Sequence, residues 1–359
     1  MHTQRPNTVM NATPTIETSI ELHAPHWISR SAFQVLVVLL VLTQASLGFA
    51  VYRANYWLAV PLVLISSHLM HSMLIGFHEA THGLLRKSRL LNEIDGLIIG
   101  TLSMMSFSLY RAAHQLHHAY LASERDEELW PFVHPQMPRG ARVLAAVLEL
   151  TMGLLFTPYL FVRTFLRSGS PIRNKKLRRR IWTEFAVTAV IWTAILTAIA
   201  VFDAWKYFLW LHVIPAWLAA NMQSFRKYVE HVGLTGSTVN SSTRSIVAEG
   251  WVAKFVNFTL LHEPYHGVHH WRSGLPHPEL PEHAAALEPH VEEERPPFRT
   301  FGAAVYDLFI NLADPRVGAQ WLGVARTTRQ ELASPRGITP SPGRSHSVPS
   351  IPRGKQPLN

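Results

Sequence analysis

Long, nearly uncharged apolar runs alternate along this chain with short polar, aromatic and basic stretches. The run at 31–51 suffices for a membrane helix of roughly 20 residues, and 56–77 is a second. Between them Tyr52-Arg53-Ala54-Asn55-Tyr56-Trp57 reads as a tight turn with interfacial aromatics. Runs at 183–202 and 207–225 predict another hairpin, about Asp203-Ala204-Trp205-Lys206. Residues 94–109 are apolar but short, which suits a re-entrant or interfacial helix. The stretch 143–165 is long enough to cross, although it contains Glu149 and Pro158.

Charge changes the picture in one respect. The formal net charge is +9, a balance that would suggest nucleic acid in a soluble protein. Here the basic residues flank apolar runs, at Arg86-Lys87-Ser88-Arg89 and at Arg173-Asn174-Lys175-Lys176-Leu177-Arg178-Arg179-Arg180. That placement fits cytoplasmic ends of membrane segments facing anionic lipid. No nucleic-acid motif accompanies it, so no nucleic-acid partner is expected. Residues 1–30 are polar, read as a cytoplasmic arm, and lack the apolar core of a removable signal peptide. A membrane domain is expected over 31–320. Residues 321–359, rich in Pro, Ser, Arg and Gly, are expected to form a disordered tail.

Histidine supplies the chemistry. Three clusters sit at the edges of apolar segments: His78-Glu79-Ala80-Thr81-His82, His114-Gln115-Leu116-His117-His118 and His266-Gly267-Val268-His269-His270. Neutral imidazole is the commonest metal ligand, and this number invites more than one ion. Cysteine is absent, which excludes thiolate zinc sites and cysteine-held iron–sulfur clusters. His78 and His82 fall on one helical face. In each H-x2-HH cluster the first two histidines are expected to face together, with the adjacent one about 100° away and free to reach a second metal. His78-Glu79-x-x-His82 also matches the zinc-peptidase signature, with Glu79 as general base and 92–96 offering a further ligand. No nucleophile elbow, phosphate loop or fused haem-binding donor is visible.

One metal site built from all three clusters requires an even number of crossings between the second and third. The hairpin at 183–225 supplies two. The segment 143–165 is therefore assigned to an interfacial or partly inserted helix pair. The expected fold is an all-α integral membrane protein with about four transmembrane helices, interfacial helices, and metal site and both termini cytoplasmic.

The three boxes, their order and the spans between them resemble the membrane fatty-acid desaturase-like superfamily over roughly residues 35–275. The resemblance implies two iron ions, O2 as co-substrate, a lipid or fatty-acyl substrate, and a separate ferredoxin- or cytochrome-type electron donor. It implies His78, His82, His114, His117, His118, His266, His269 and His270 as metal ligands, with no catalytic group beyond them. It implies His231 as a further ligand after the last span. Many relatives carry Asn four residues before the third box, where this chain has His262; His262 is thus an extra ligand or a group behind the ligands. Asp126 is the expected carboxylate partner of a metal-bound imidazole, and Glu79 has the same place in a di-iron enzyme. Within that chemistry the leading expectation is a fatty-acyl desaturase. Hydroxylase, carotenoid oxygenase and olefin-forming decarboxylase are its close rivals, and a membrane zinc peptidase or a non-catalytic lipid- or metal-binding protein are those of other classes.

Overall fold

Asn55 ends the first helical hairpin turn and begins its second arm, its side chain accepting from Leu58 N at 3.2 Å. The computed structural model describes residues 27–323, and the described residues contain helices and no strand. The hairpin pairs α1 (Ala32–Tyr52) with α2 (Tyr56–His82). At 27 residues, α2 is about 40 Å long, longer than a hydrocarbon core of about 30 Å. Its last turns, with His78 and His82, can therefore stand at or beyond the apolar layer. Gly83, at φ 74°, stops the helix directly after His82, a backbone state that glycine adopts at little cost.

Next come α3 (Arg89–Leu102) and α4 (Phe107–Ala119), bent by 105°, as expected of a re-entrant or interfacial pair. Ser106 caps α4 through Leu109 N at 3.1 Å. Glu184 accepts from Ser106 Oγ at 2.7 Å and Ser108 N at 2.9 Å. The second histidine cluster thus rides on a helix tied down at its start. The remaining long helices are α5 (Arg139–Leu166), α6 (Lys175–Val201) and α7 (Ile214–His231). Helical Trp205–Phe208 and π-helical Leu209–Val213 lead into α7. Shorter helices α8 (Trp251–Thr259), α9 (His266–Trp271) and α10 (Phe301–Asn311) follow.

Among the described residues four helices are long and apolar enough to cross a membrane: α1, α2, α5 and α6. The number agrees with expectation, but the set does not. The 207–225 run is divided by the π-helical segment, and α7 continues into Gln223, Arg226, Lys227 and Glu230, which serve the site described below. α5 passes by length and apolarity, yet both its ends are tied to the loop after the second histidine cluster. At its start Arg142 pairs with Asp314 and donates to Pro315 O at 2.9 Å, and Val317 N donates to Phe132 O. At its end Arg167 pairs with Glu127, next to Asp126. Between them Met152 is non-helical (φ −122°). There Gly153 lies so close to α7 that an added Cβ would meet Ala220 O at 2.8 Å. α5 therefore bends where it packs along α7. Glu149 is accommodated by Lys227 and by Tyr228 Oη, which donates to it at 3.0 Å.

Of the expected arm, 1–26 lie outside the described residues, and Trp27–Arg30 form a helical turn. Trp321 belongs to the folded part, buried and donating from Nε1 to Phe132 O at 2.8 Å. Residues 324–359 of the expected tail lie outside the described residues.

Candidate metal centre

All nine expected histidines converge, from the end of α2, from α4, from the end of α7 and from α9, and they sort into two groups. In the first, one ligand atom each from His78, His82, His114, His118 and His269 lie within 4.8 Å of one another. Nε2 atoms run in sequence, His82 to His114 at 3.0 Å, His114 to His118 at 3.0 Å and His118 to His269 at 3.1 Å. The His78 ring stands 4.4 Å from that of His114 and 4.6 Å from that of His269. The second group joins His117, His231 and His270, with His266 and Glu230 gathered on His231. His266 Nε2 lies 2.9 Å from His231 Nε2 and 3.0 Å from His270 Nε2. The groups adjoin where His118 stacks on His270, centroids 4.4 Å apart.

Adjacent histidines do reach different groups, but the partition differs from the expected one. His114 goes with His118 and His266 with His270, so the i, i+4 pairs share a group. His117 and His269 cross to the opposite ones. Both spacings place side chains on one helical face; the site lies where the second is the better aimed.

Carboxylates and carbonyls stand behind the rings. Asp126 Oδ2 is 2.8 Å from His117 Nδ1, and Glu128 Oε2 is 3.0 Å from His114 Nδ1. Glu263 Oε1 is 3.0 Å from His266 Nδ1, and its other oxygen is 3.5 Å from His78 Nδ1. Arg226 holds Glu230 at 2.6 Å and Glu263 at 2.8 Å. His231 Nδ1 lies 3.2 Å from Ser242 O. A carbonyl only accepts, so His231 carries its proton on Nδ1 and presents a bare lone pair from Nε2. Glu263 fixes His266 the same way. Two lone pairs then face each other across 2.9 Å, a repulsive contact unless a cation lies among them. Burial pulls His266 and His270 well below the usual imidazole range and His269 to about 3. Extra protons are therefore not the remedy, and neutral imidazoles with carboxylates behind them are the form that binds metal. Imidazole–metal bonds of about 2.1 Å put adjacent ligands of a six-coordinate ion roughly 3 Å apart. The donor set fits metal ions in both groups.

Glu79 is fully buried, 3.8 Å from His78 Nδ1, and its oxygens have no hydrogen-bond partner among the described residues. His262 does not share a helix with His266. Leu261 and His262 take positive φ, 49° and 57°, between α8 and α9. His262 Nδ1 meets His277 Nδ1 at 3.1 Å, and the two rings stack. It joins neither histidine group. The acids at 92–96 turn elsewhere: Glu93 pairs with Arg111 and Arg180, and Asp95 with Arg86. No third peptidase ligand comes from there.

Sequence reasoning missed Glu263, Arg226 and His277. Glu263 carried a signal, standing three residues before His266 on what could have been one face. His68 bonds Thr259 Oγ1 at 2.9 Å and His212 packs on Trp192 and Phe208, away from both histidine groups.

Comparison with known proteins identifies the family. The profile of the family described as "Fatty acid desaturase" matches residues 55–302. The chain is 23% identical over 259 residues to "Omega-3 fatty acid desaturase, chloroplastic" of Brassica napus. That match covers 66% of this chain and 62% of the plant protein. It is 22% identical over 284 residues to "Fatty acid desaturase" of Bacillus subtilis (strain 168), covering 75% of this chain and 78% of the relative.

Proposed function

Given that this chain belongs to the fatty acid desaturase family, we propose that it is an O2-dependent di-iron lipid oxidoreductase that desaturates a fatty-acyl chain. The observation carrying this reading is the division of nine histidines into two adjoining groups, with Nδ1 of His114, His117, His231 and His266 held from behind and Nε2 atoms converging.

His78, His82, His114, His118 and His269 would hold one iron, and His117, His231, His266 and His270 the other, with Glu230 beside them. When bound, such a pair supplies the closely spaced electrons needed to reduce O2 and remove hydrogen from an unactivated C–H bond. The chain's own residues do the rest. Asp126, Glu128 and Glu263 hold the imidazole tautomers, and Arg226 neutralises Glu230 and Glu263. Tyr110 stacks on His114 at 5.6 Å and on Phe77 at 4.8 Å. This apolar wall excludes water from the membrane side of the centre. His82, His118 and His270 are partly exposed, which gives a separate ferredoxin- or cytochrome-type donor a solvent-side approach. The basic ends at 86–89 and 173–180 support a cytoplasmic reading of that side by the positive-inside rule.

The test is metal analysis of purified protein together with mass spectrometry of lipids from an expressing host. Two irons per chain and acyl products lighter by two hydrogens are expected. Products with added oxygen would replace desaturation by hydroxylation, and terminal alkenes would replace it by decarboxylation. A single zinc per chain would end the di-iron reading.

A further inference from the structure

Away from the metal centre, α3 and α6 border a groove of about 570 Å³. Its walls are apolar and face outward: Ile98 and Leu102 from α3, Val187 and Ile191 from α6 are exposed. Phe107 forms its floor. Behind Phe107 stand Phe77 and then Tyr110, at successive ring distances of 5.5 and 4.8 Å. Three aromatic rings thus separate the groove from His114. Toward one end Trp192 Nε1 donates to Thr101 O at 2.7 Å and ties the two walls together. The other end carries Arg180 and Glu184.

From Arg180 to Ile191 the groove runs eleven residues along α6, about 16 Å. That is half of a hydrocarbon core of about 30 Å, the depth of one leaflet. At the charged end the first turn and a half of α6 exposes Lys175, Lys176 and Arg179. None of the three enters an ion pair among the described residues. An outward apolar slot one leaflet deep, ending in uncommitted cations, matches one kind of molecule.

We propose that this groove holds an acyl chain of a bilayer phospholipid with an anionic head group, the phosphate resting on Lys175, Lys176 and Arg179. The site is distinct from the metal centre and does not depend on the reaction carried out there. It also has a mechanical consequence. Glu184, at the groove's charged end, accepts from Ser106 Oγ, Ser108 N and Ser108 Oγ. A lipid seated against α6 therefore braces the start of the helix that presents His114.

The experiment is native mass spectrometry of the full chain, purified in neutral detergent and offered equal phosphatidylglycerol and phosphatidylcholine of one acyl composition. Wild type should retain phosphatidylglycerol over phosphatidylcholine by about tenfold or more, since each cation near a head group contributes roughly fivefold. Thr188→Trp, which fills the groove, should lose both adducts. The surface variant Lys175→Glu/Lys176→Glu/Arg179→Glu leaves the groove intact and carries the test if the tryptophan variant does not fold; its preference should fall to about one. Equal retention of the two lipids by wild type, an unchanged preference in the triple variant, or full retention in Thr188→Trp would overturn the proposal. Recovery of the retained lipid with an oxidised acyl chain would also overturn it, by making the groove part of the metal site.

Discussion

Glu263 Oε1 lies 3.0 Å from His266 Nδ1, and the same carboxylate reaches toward His78 Nδ1 with its second oxygen at 3.5 Å. One side chain therefore stands behind a histidine of each group. Arg226 fixes it from the far side, so its position is shared between α7, α9 and the end of α2.

Removing that carboxylate should loosen metal in both groups. Partners behind metal-binding histidines are worth about 10–100-fold in affinity. Glu263→Ala should lose iron to a chelator during dialysis at least tenfold faster than wild type, while Glu263→Gln, which keeps an acceptor oxygen, should lie between. Iron loss from Glu263→Ala no faster than from wild type would show that the carboxylate serves packing alone.

His231 belongs to the second group only. His231→Ala leaves the five histidines of the first group untouched, so iron per chain should fall to about half, with activity lost, rather than to zero. Two irons and full activity in the variant would remove His231 from the site.

Eight of the nine histidines were legible from helical spacing, and His231 only from the family resemblance. H-x3-H and H-x2-HH put imidazoles on adjacent turns, and three such clusters at apolar edges have few other uses. Their partition was not legible, because which of two neighbouring spacings faces a site depends on how the helices pack around it. Asp126 and Glu128 were readable from their nearness to His118 in the chain; Glu263 acts through a turn that brings it back on His266. Parity of crossings assigned 143–165 to an interfacial or partly inserted helix pair, whereas by length and apolarity α5 is a candidate span. His277 had no signal, since only the turn at Leu261–His262, both at positive φ, directs His262 toward it.

His262→Asn should keep its iron. The ring meets His277 and neither histidine group, and an amide can still pair with the His277 nitrogen. At most about 1 kcal/mol of stability should be lost, the worth of one hydrogen bond, with partial activity or better. Iron per chain and the thermal midpoint decide the matter: loss of iron would promote His262 to a direct ligand.

Glu79 and His82 separate the two metal chemistries. A peptidase needs Glu79 as its base. Here it sits behind His78, buried, with unpartnered oxygens among the described residues. Glu79→Gln removes a carboxylate that is costly to bury, and should retain two irons and measurable lipid oxidation. His82→Ala takes a nitrogen from the first group and should abolish oxidation. Intact oxidation in His82→Ala would be fatal to the assignment of the first box.

All metal-facing loops must open on one side of the membrane. Ser88 follows the first histidine box, Ser123 the second and Ser273 the third, and each is at least partly exposed. The chain has no cysteine of its own, so single cysteines at these positions report without background. Ser88 caps α3, and its replacement should cost about 1 kcal/mol without unfolding the chain. A membrane-impermeant maleimide should label all three in inside-out vesicles and none in right-side-out ones. The reason is common to the three sites. The outcome is expected if α5 returns to the loop it left and α6 with the helix ending in His231 makes one out-and-back excursion. The second and third boxes then stay on the side where α2 delivers the first. Labelling of the Ser123 and Ser273 positions from opposite sides would break that parity, and with it the idea that box two and box three can share a centre.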